Sequence, residues 1–479
     1  MKFGFVWSIA VAAVLLGCQS AGTQDAATTL KRASDAMGAT NLKSIRYTAE
    51  GTGYTFGQAF KPGMPWPKIT LHSQIRTINY DTASMRDEVT LSRAEPRGGG
   101  GYPLAGQQRN DQFVSGVHAW NQAAAGPVPG PRFIADRTHQ LWITPHGAVK
   151  AAIKNNATHA GQSAVTFTEP NRFIATVFFN ADSLVERVES RAPDAVLGET
   201  TVVTTYSDYR DFGGVKFPMR IQQTQSGAPV LDVVVKEVQP NAAADIQLPD
   251  AVRTATERVT VEKVADGIWF IAGATHNSVA IEMKDHIVMV EAPLFDGRTL
   301  PVIEQVKQLA PGKPIRYVIN SHEHFDHAGG LRAAAAEGAT IVAHGASKSY
   351  LEKAFATPNK INPDRLTQSG RKAQVLAVTD KLVMNDGART LEIHSIRDSV
   401  HSDAFLMVYL PKEKLLIEAD AYTPSPPNTP PPAQPNANNV NLVENIERLK
   451  LSIDRILPLH GRVVPLSELY TAVGKSAPK

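Results

Sequence analysis

The chain has one cysteine, Cys18, among 479 residues. No disulfide framework can form from it, so the fold must rest on its own apolar cores. A structural zinc site built on cysteines is disfavoured for the same reason. Charge of one sign is also lacking: 49 Lys and Arg against 46 Asp and Glu leave a formal net charge of +3. No concentrated basic stripe appears, which removes the case for nucleic-acid binding. Beyond the first sixteen or so residues there is no apolar segment of membrane-spanning length, and the body of the chain reads as soluble. Histidine is scarce too, 14 in all, and nine of those lie beyond residue 257. The length allows two or more domains, and 43% hydrophobic content supports sizeable cores.

The N-terminus supplies a use for the lone cysteine. Met1-Lys2 leads into an apolar run from Phe3 to Leu16, too short for a span of about 20 residues and shaped like a signal h-region. It ends Leu15-Leu16-Gly17-Cys18, which resembles a bacterial lipobox. Residues 1–17 are therefore expected to be a lipoprotein signal peptide, with the mature chain starting at a lipidated Cys18. Each buried acyl methylene contributes about 0.8 kcal/mol, so several chains anchor stably where one holds marginally. Gln19-Ser20 follow rather than an aspartate. In the lipoprotein pattern this favours the outer membrane and a periplasmic location.

The densest chemistry is Ser321-His322-Glu323-His324-Phe325-Asp326-His327, directly after the strand-like run Ile315-Arg316-Tyr317-Val318-Ile319-Asn320. A strand end projects its last side chains and the following loop together. Nitrogen and oxygen donors presented this way suit Zn²⁺, which takes His at about 2.0–2.1 Å and carboxylate at about 2.0–2.2 Å. Four donors so close cannot all close one tetrahedral site. The alternation lets His322 and His324 serve one ion while Asp326 and His327 turn toward a second. Further donors stand at the ends of apolar runs: His401 before Phe405–Leu410, Asp420 after Leu415-Leu416-Ile417, and His460 after Ile453–Leu459.

With these residues in order, residues 256–479 resemble the metallo-β-lactamase-fold superfamily of metallohydrolases. The resemblance implies an αββα sandwich with metals at one edge. It assigns His322, His324 and His401 to one metal, Asp326, His327 and His460 to the second, and Asp420 as the bridge. Two ions roughly 3.5–4 Å apart can share a hydroxide, lower its pKa and polarise a scissile carbonyl or phosphoryl oxygen. Asp326 would orient that hydroxide as well as ligate. Two Zn²⁺ per chain and a small-molecule substrate are the expected cofactor and partner. Tyr422 is a candidate catalytic residue by analogy with a tyrosine in lactonases of this superfamily.

Departures from relatives narrow the reaction. Class B1 β-lactamases place Cys at the Asp420 position and Lys three further on, where this chain has Thr423. Flavodiiron proteins put Glu where His324 stands. Only 19 residues follow His460, leaving no glyoxalase II helical domain, and 40 positions between Asp420 and His460 leave no room for a large nuclease insertion. Glu291 stands where the superfamily often has Asp, which puts that supporting link in doubt. The expectation is hydrolysis of an ester, lactone, amide or related bond in the cell envelope. Alternatives are a mononuclear-iron persulfide-dioxygenase-like enzyme, a β-lactamase, and a non-catalytic lipid-binding envelope lipoprotein.

Other histidines divide by pattern. His344 and His394 read as structural, while His276 and Asn277 precede an early strand and are equally pocket-lining or structural. Asp403, two after His401, is a candidate to receive that imidazole's other N–H.

The fold class expected is α/β in the C-terminal part, 258–479, after a linker at 246–257. An 18–245 domain precedes it, mostly antiparallel β, opened by a helix at Thr29–Met37. Its opening and closing segments, Leu30–Gly38 and Gly214–Arg220, resemble periplasmic lipoprotein carriers of the open half-barrel type. That likeness implies a concave face able to hold an acyl chain or guide an apolar substrate, or a packing module. Arg97-Gly98-Gly99-Gly100-Gly101 reads as a flexible loop, not a phosphate cradle, because no Lys-Ser/Thr follows. Pro424 to Pro435 holds seven prolines and leaves almost directly from Asp420, so a stiff wall over the metals is expected.

Overall fold

A computed structural model of the chain describes residues 25–95, 98–100, 106–161 and 163–477. The signal-like run, Cys18, Arg97 and Gly101 lie outside the described residues. Among the described residues no helix is long and apolar enough to cross a membrane.

The first helix spans Ala26–Met37, three residues earlier than its apolar spacing suggested. Asp25 accounts for the difference, because its carboxylate accepts the Ala27 N–H and caps the first turn. Leu30, Ala33 and Met37 form the buried stripe. Then comes a 13-stranded antiparallel sheet among the described residues. The first strand, Ser44–Tyr54, pairs with the last, Ala228–Pro240, and joins two meanders into one sheet. Its edges are Gly126–Pro129 and Thr158–His159, and the helices Ile134–Trp142 and Pro145–Lys154 link them.

Those helices fill the sheet's concave side. Met37, Leu141, Trp142, Ala148, Val149 and Ala152 share one apolar cluster with Ile45, Tyr47, Phe167, Phe173 and Phe217 of the strands. A buried Arg76–Asp87 pair at 2.6 Å, with Gln74 donating to the same carboxylate, ties two strands together inside it. The cavity beside Tyr47, Arg76 and Gln223 measures about 20 Å³. That is room for about one water. An acyl chain does not fit there. The mostly antiparallel sheet with a helix is present, and at this point it covers a packed core.

The linker expected at 246–257 is not featureless. Asp250–Arg253 forms a helical turn that buries Val252 and packs against the strands His118–Ala123 and Gly126–Pro129.

Beyond it stand two sheets of seven and six strands. Ile281, Val288, Val290 and Ile319 from the first join Leu391, Ile393, Leu406, Val408 and Ile417 from the second in one cluster. Each such side chain contributes roughly 1.5–3 kcal/mol by leaving water. The helices Asp296–Leu309, Leu331–Ala336 and Lys348–Ala356 cover the outer face of the seven-stranded sheet through Val302, Ile303, Val306, Leu331 and Leu351. Leu442, Val443, Ile446 and Leu469, from Ala437–Leu449 and Leu466–Ala472, pack with the six-stranded sheet. This is the αββα layering. Asp296 lies in the first turn of its helix, and its carboxylate accepts the Arg365 N–H across the fold.

The N-terminal sheet docks on this sandwich at two places. The turn at 194–198 sinks Val196 into the helical layer, and Asn359 donates to the Asp194 carbonyl at 3.1 Å. The loop at 55–67 reaches the end of the strand Ile315–Ile319, where the histidines are.

Candidate metal centre

The strand Ile315–Ile319 buries Ile315, Val318 and Ile319 and ends before Asn320, so the strand stops just before the motif. The chain bends at Ser321 and is extended at His324, with φ −57° and ψ 144°, and the Ser321 carbonyl accepts Leu406 N–H at 2.7 Å. One helical turn, Phe325–Ala328, then swings Asp326 and His327 to the other side. This local change from extended to helical backbone is what divides four neighbouring donors between two groups.

The first group is His322, His324, His401 and Asp420, and the second is His276, Asp326, His327 and His460. Within each, the facing donor atoms lie within 4.8 Å of one another. His322 Nε2 is 3.0 Å from His324 Nδ1, 3.1 Å from His401 Nε2 and 3.4 Å from Asp420 Oδ2. Two ligands on one tetrahedral ion at about 2.0–2.1 Å stand about 3.3–3.4 Å apart. The first group therefore already has nearly the edge lengths such an ion requires. In the second, His276 Nε2 is 3.3 Å from Asp326 Oδ2, and His460 Nε2 is 3.3 Å from His327 Nε2.

Asp420 lies between the groups. Its Oδ2 is 2.9 Å from His401 Nε2 and 3.0 Å from His327 Nε2, while Oδ1 is 2.9 Å from His460 Nε2. The residue has φ 55°, a left-handed conformation that Asp tolerates better than most side chains. It leaves the strand Leu415–Glu418 by a tight turn, with Ala421 N–H on the Ala419 carbonyl.

The outer nitrogens are held as well. His322 Nδ1 lies 2.9 Å from Ser321 Oγ, His327 Nδ1 2.9 Å from Glu291 Oε2, and His460 Nδ1 2.8 Å from the Thr275 carbonyl. His276 Nδ1 lies 2.7 Å from Thr275 Oγ1, and His324 Nε2 lies 2.9 Å from the Ala59 carbonyl. Fixing one ring nitrogen decides which nitrogen faces a metal and how the ring is turned.

Charge completes the fit. Burial pushes the Asp420 carboxyl up, yet the His327 and His401 rings hold it well below the usual carboxylate range. Asp326 behaves likewise through His327 and His276. Burial works against a proton on His327, but Asp420, Asp326 and Glu291 together raise it well above the usual imidazole value. Burial lowers His324 to about 3 and His276 to about 4, keeping both neutral and able to ligate. Carboxylates that stabilise positive charge beside neutral imidazoles form a donor set suited to divalent cations.

Residues 273–460 match the family model of the metallo-beta-lactamase superfamily. These residues form a metallo-beta-lactamase superfamily domain. Among curated proteins, the alpha subunit of 2,4-dinitroanisole O-demethylase from Nocardioides sp. (strain JS1661) is 24% identical over 168 residues, 35% of this chain and 48% of that protein. The match thus spans about half the length of this relative. Solved structures similar to the chain include a metallo-beta-lactamase from Pontibacter korlensis, 15% identical with a TM-score of 0.35, covering 45% of this chain and 98% of that one. A flavo di-iron protein variant from Thermotoga maritima is 16% identical with a TM-score of 0.35, covering 46% and 61%.

All seven expected metal-ligating residues of the metallo-beta-lactamase domain converge in the two groups. His276, weighed equally between pocket and structural roles, stands inside the second. Its neighbour Asn277 donates from its side chain to the Pro458 and Gly461 carbonyls and clamps the loop that carries His460, a contact that no sequence pattern announces. Glu291 does serve as the supporting carboxylate: besides His327 it accepts from Asn320 Nδ2 at 3.0 Å, Ser321 N at 3.2 Å and Ser321 Oγ at 2.6 Å.

Asp403 does not take that part for His401. Its carboxylate is half exposed and lies 3.5 Å from Lys61, and its N–H donates to the Phe60 carbonyl. Tyr422 is 4% exposed and belongs to the apolar cluster between the sheets, and burial pushes its hydroxyl up to about 12. His344 and His394 take structural contacts with Ser395 and Glu392. The proline-rich segment is exposed from Ser425 to Asn436, and it begins at Pro424, packed against Gly461 beside His460.

No pattern in the sequence singles out Gln58. Its Nε2 donates to Asp326 Oδ1 at 2.7 Å from the other domain.

Proposed function

We propose that this chain is a zinc-dependent hydrolase of the bacterial cell envelope, acting on an ester, lactone, amide or related bond of a small-molecule substrate. The observation that carries the reading is one carboxylate, Asp420, set between two four-residue donor groups. His322, His324 and His401 would hold one ion, and His276, Asp326, His327 and His460 the other, with Asp420 shared. When bound, two such ions lower the pKa of water and polarise the oxygen of the bond to be cleaved. Asp326 points Oδ2 toward the histidines and would orient the attacking water, while Gln58 occupies its other oxygen. Buried His322, His324 and His327 exclude bulk water from beneath the donors. Lipidation of Cys18 would tether the enzyme to the periplasmic face of the outer membrane.

The test is hydrolysis of a substrate panel by zinc-loaded protein and by His401→Ala. Lactones, esters, amides and a β-lactam belong in it, and the O-demethylase relative adds an aryl methyl ether. Turnover of at least one class, lost in the variant, supports the proposal. Iron in place of zinc, with oxygen consumption, would replace hydrolysis by oxidative chemistry.

A further inference from the structure

The loop between the strands Ser44–Tyr54 and Lys68–Asn79 is far longer than a hairpin needs, since two to five residues suffice. Its ends are pinned together by Thr55 N–H on the Pro67 carbonyl at 2.8 Å. The residues between reach across to the metallo-beta-lactamase domain. Phe56 and Trp66 pack edge-on against Phe325 with ring centroids 5.2 and 5.8 Å away. The Gly57 carbonyl accepts Phe325 N–H at 3.1 Å, and φ 78° with the ring alongside admits no Cβ at that position.

The next two residues touch the donors themselves. Gln58 gives Nε2–H to Asp326 Oδ1, and the Ala59 carbonyl takes His324 Nε2, so Nδ1 of that ring faces the first group. The glycine run explains itself here. Gly99 and Gly100 lie flat under Gln58, where a Cβ on either would collide with it, and Gly99 N–H donates to the His401 carbonyl at 3.0 Å.

We propose that the N-terminal domain completes the metal centre, with Gln58 as a positioning residue that holds Asp326 for the second ion. A primary amide suits the task because it donates to the carboxylate oxygen the metal does not use. This rests on the reading that the two groups hold metals.

The experiment is a zinc titration of the full apo chain against a chromophoric chelator, with thermal unfolding in parallel. Loss of a ligand-orienting partner weakens metal binding by about 10–100-fold. Gln58→Leu should weaken one of two ions by that factor, leave the other at its wild-type affinity, and keep the unfolding midpoint. Gln58→Glu, of the same shape but turning an acceptor toward Asp326, should weaken it at least as much. Met64→Ala, on the exposed side of the same loop, should change neither. Wild-type affinity for both ions in both Gln58 variants would overturn the proposal and leave the metal reading standing. Equal weakening of both ions with a lowered midpoint would overturn it in favour of a purely structural loop. A wild-type chain that binds no ion would overturn both.

Discussion

Glu291→Gln tests the support beneath the second donor group, because it changes a charge and one donor pattern at nearly constant volume. Glu291 is fully buried and takes four N–H or O–H groups, from Asn320, Ser321 twice, and His327. The residue sits at φ 70°, past the end of the strand Ile287–Val290, so the backbone commits it to that position. In the glutamine variant one oxygen can still accept from Asn320 and the Ser321 N–H, and the Ser321 hydroxyl can rotate to accept. His327 Nδ1 cannot adapt so easily. Facing an NH₂ it must become the acceptor, so the ring can keep a proton only on Nε2, the nitrogen turned toward Asp420 and His460. One hydrogen bond to a charged group is worth about 1.5–3 kcal/mol, and that is the expected loss of stability without metal. Metal affinity at the second group should fall about 10–100-fold, as for other partners of ligating histidines. Scanning calorimetry with and without zinc, together with chelator competition, reads both quantities. A variant that unfolds and binds both ions like the parent would refute the assigned orientation of His327.

Removing His401 by alanine should take out the first ion and lower kcat/KM by about 10²-fold or more, since several kcal/mol of charge stabilisation go with it; steady-state kinetics checks this. Stripping the metals with a chelator should lower the midpoint of the C-terminal domain, because ligand at a thousand times its Kd contributes about 4 kcal/mol. An unaltered calorimetric trace would contradict bound metal. Gly57→Val should lift the loop off Phe325 at a cost of more than about 1 kcal/mol, and denaturant titration measures it. Burial lowers His139 and His146 to about 4 in the folded N-terminal domain. The unfolded chain, near 6.5, binds more protons between those values, so stability is full above about pH 6.5 and falls toward pH 4. The slope is at most about 1.4 kcal/mol per pH unit for each ring. His139→Phe should remove one ring's share, read from melts at pH 7 and pH 5.

The C-terminal site was legible because its signal is local. Apolar runs bordering His or Asp at 322–327, 401, 420 and 460 mark the candidate donors, and the structure gathers them in two groups. His276 was harder to read, since a lone histidine before a strand has the same sequence appearance whether it packs or ligates. Asp403 is near His401 only in sequence: the chain bends at 401–404 and turns the Asp403 side chain outward to Lys61. Gln58 and the glycines at 98–100 carry no periodicity and no motif, and their meaning depends on a contact 268 residues away in sequence. The antiparallel N-terminal sheet could be expected from its strand-and-turn rhythm. The helices that fill its concave side at 134–154 are short enough to be read as more of the same.

The central claim is that Asp420 joins two metal groups in one centre, and metal content by mass spectrometry tests it most directly. Purified full chain should carry about two zinc ions, of which His401→Ala and His460→Ala each remove one and Asp420→Ala both. A chain that carries no metal, or whose content is indifferent to these three substitutions, would contradict it.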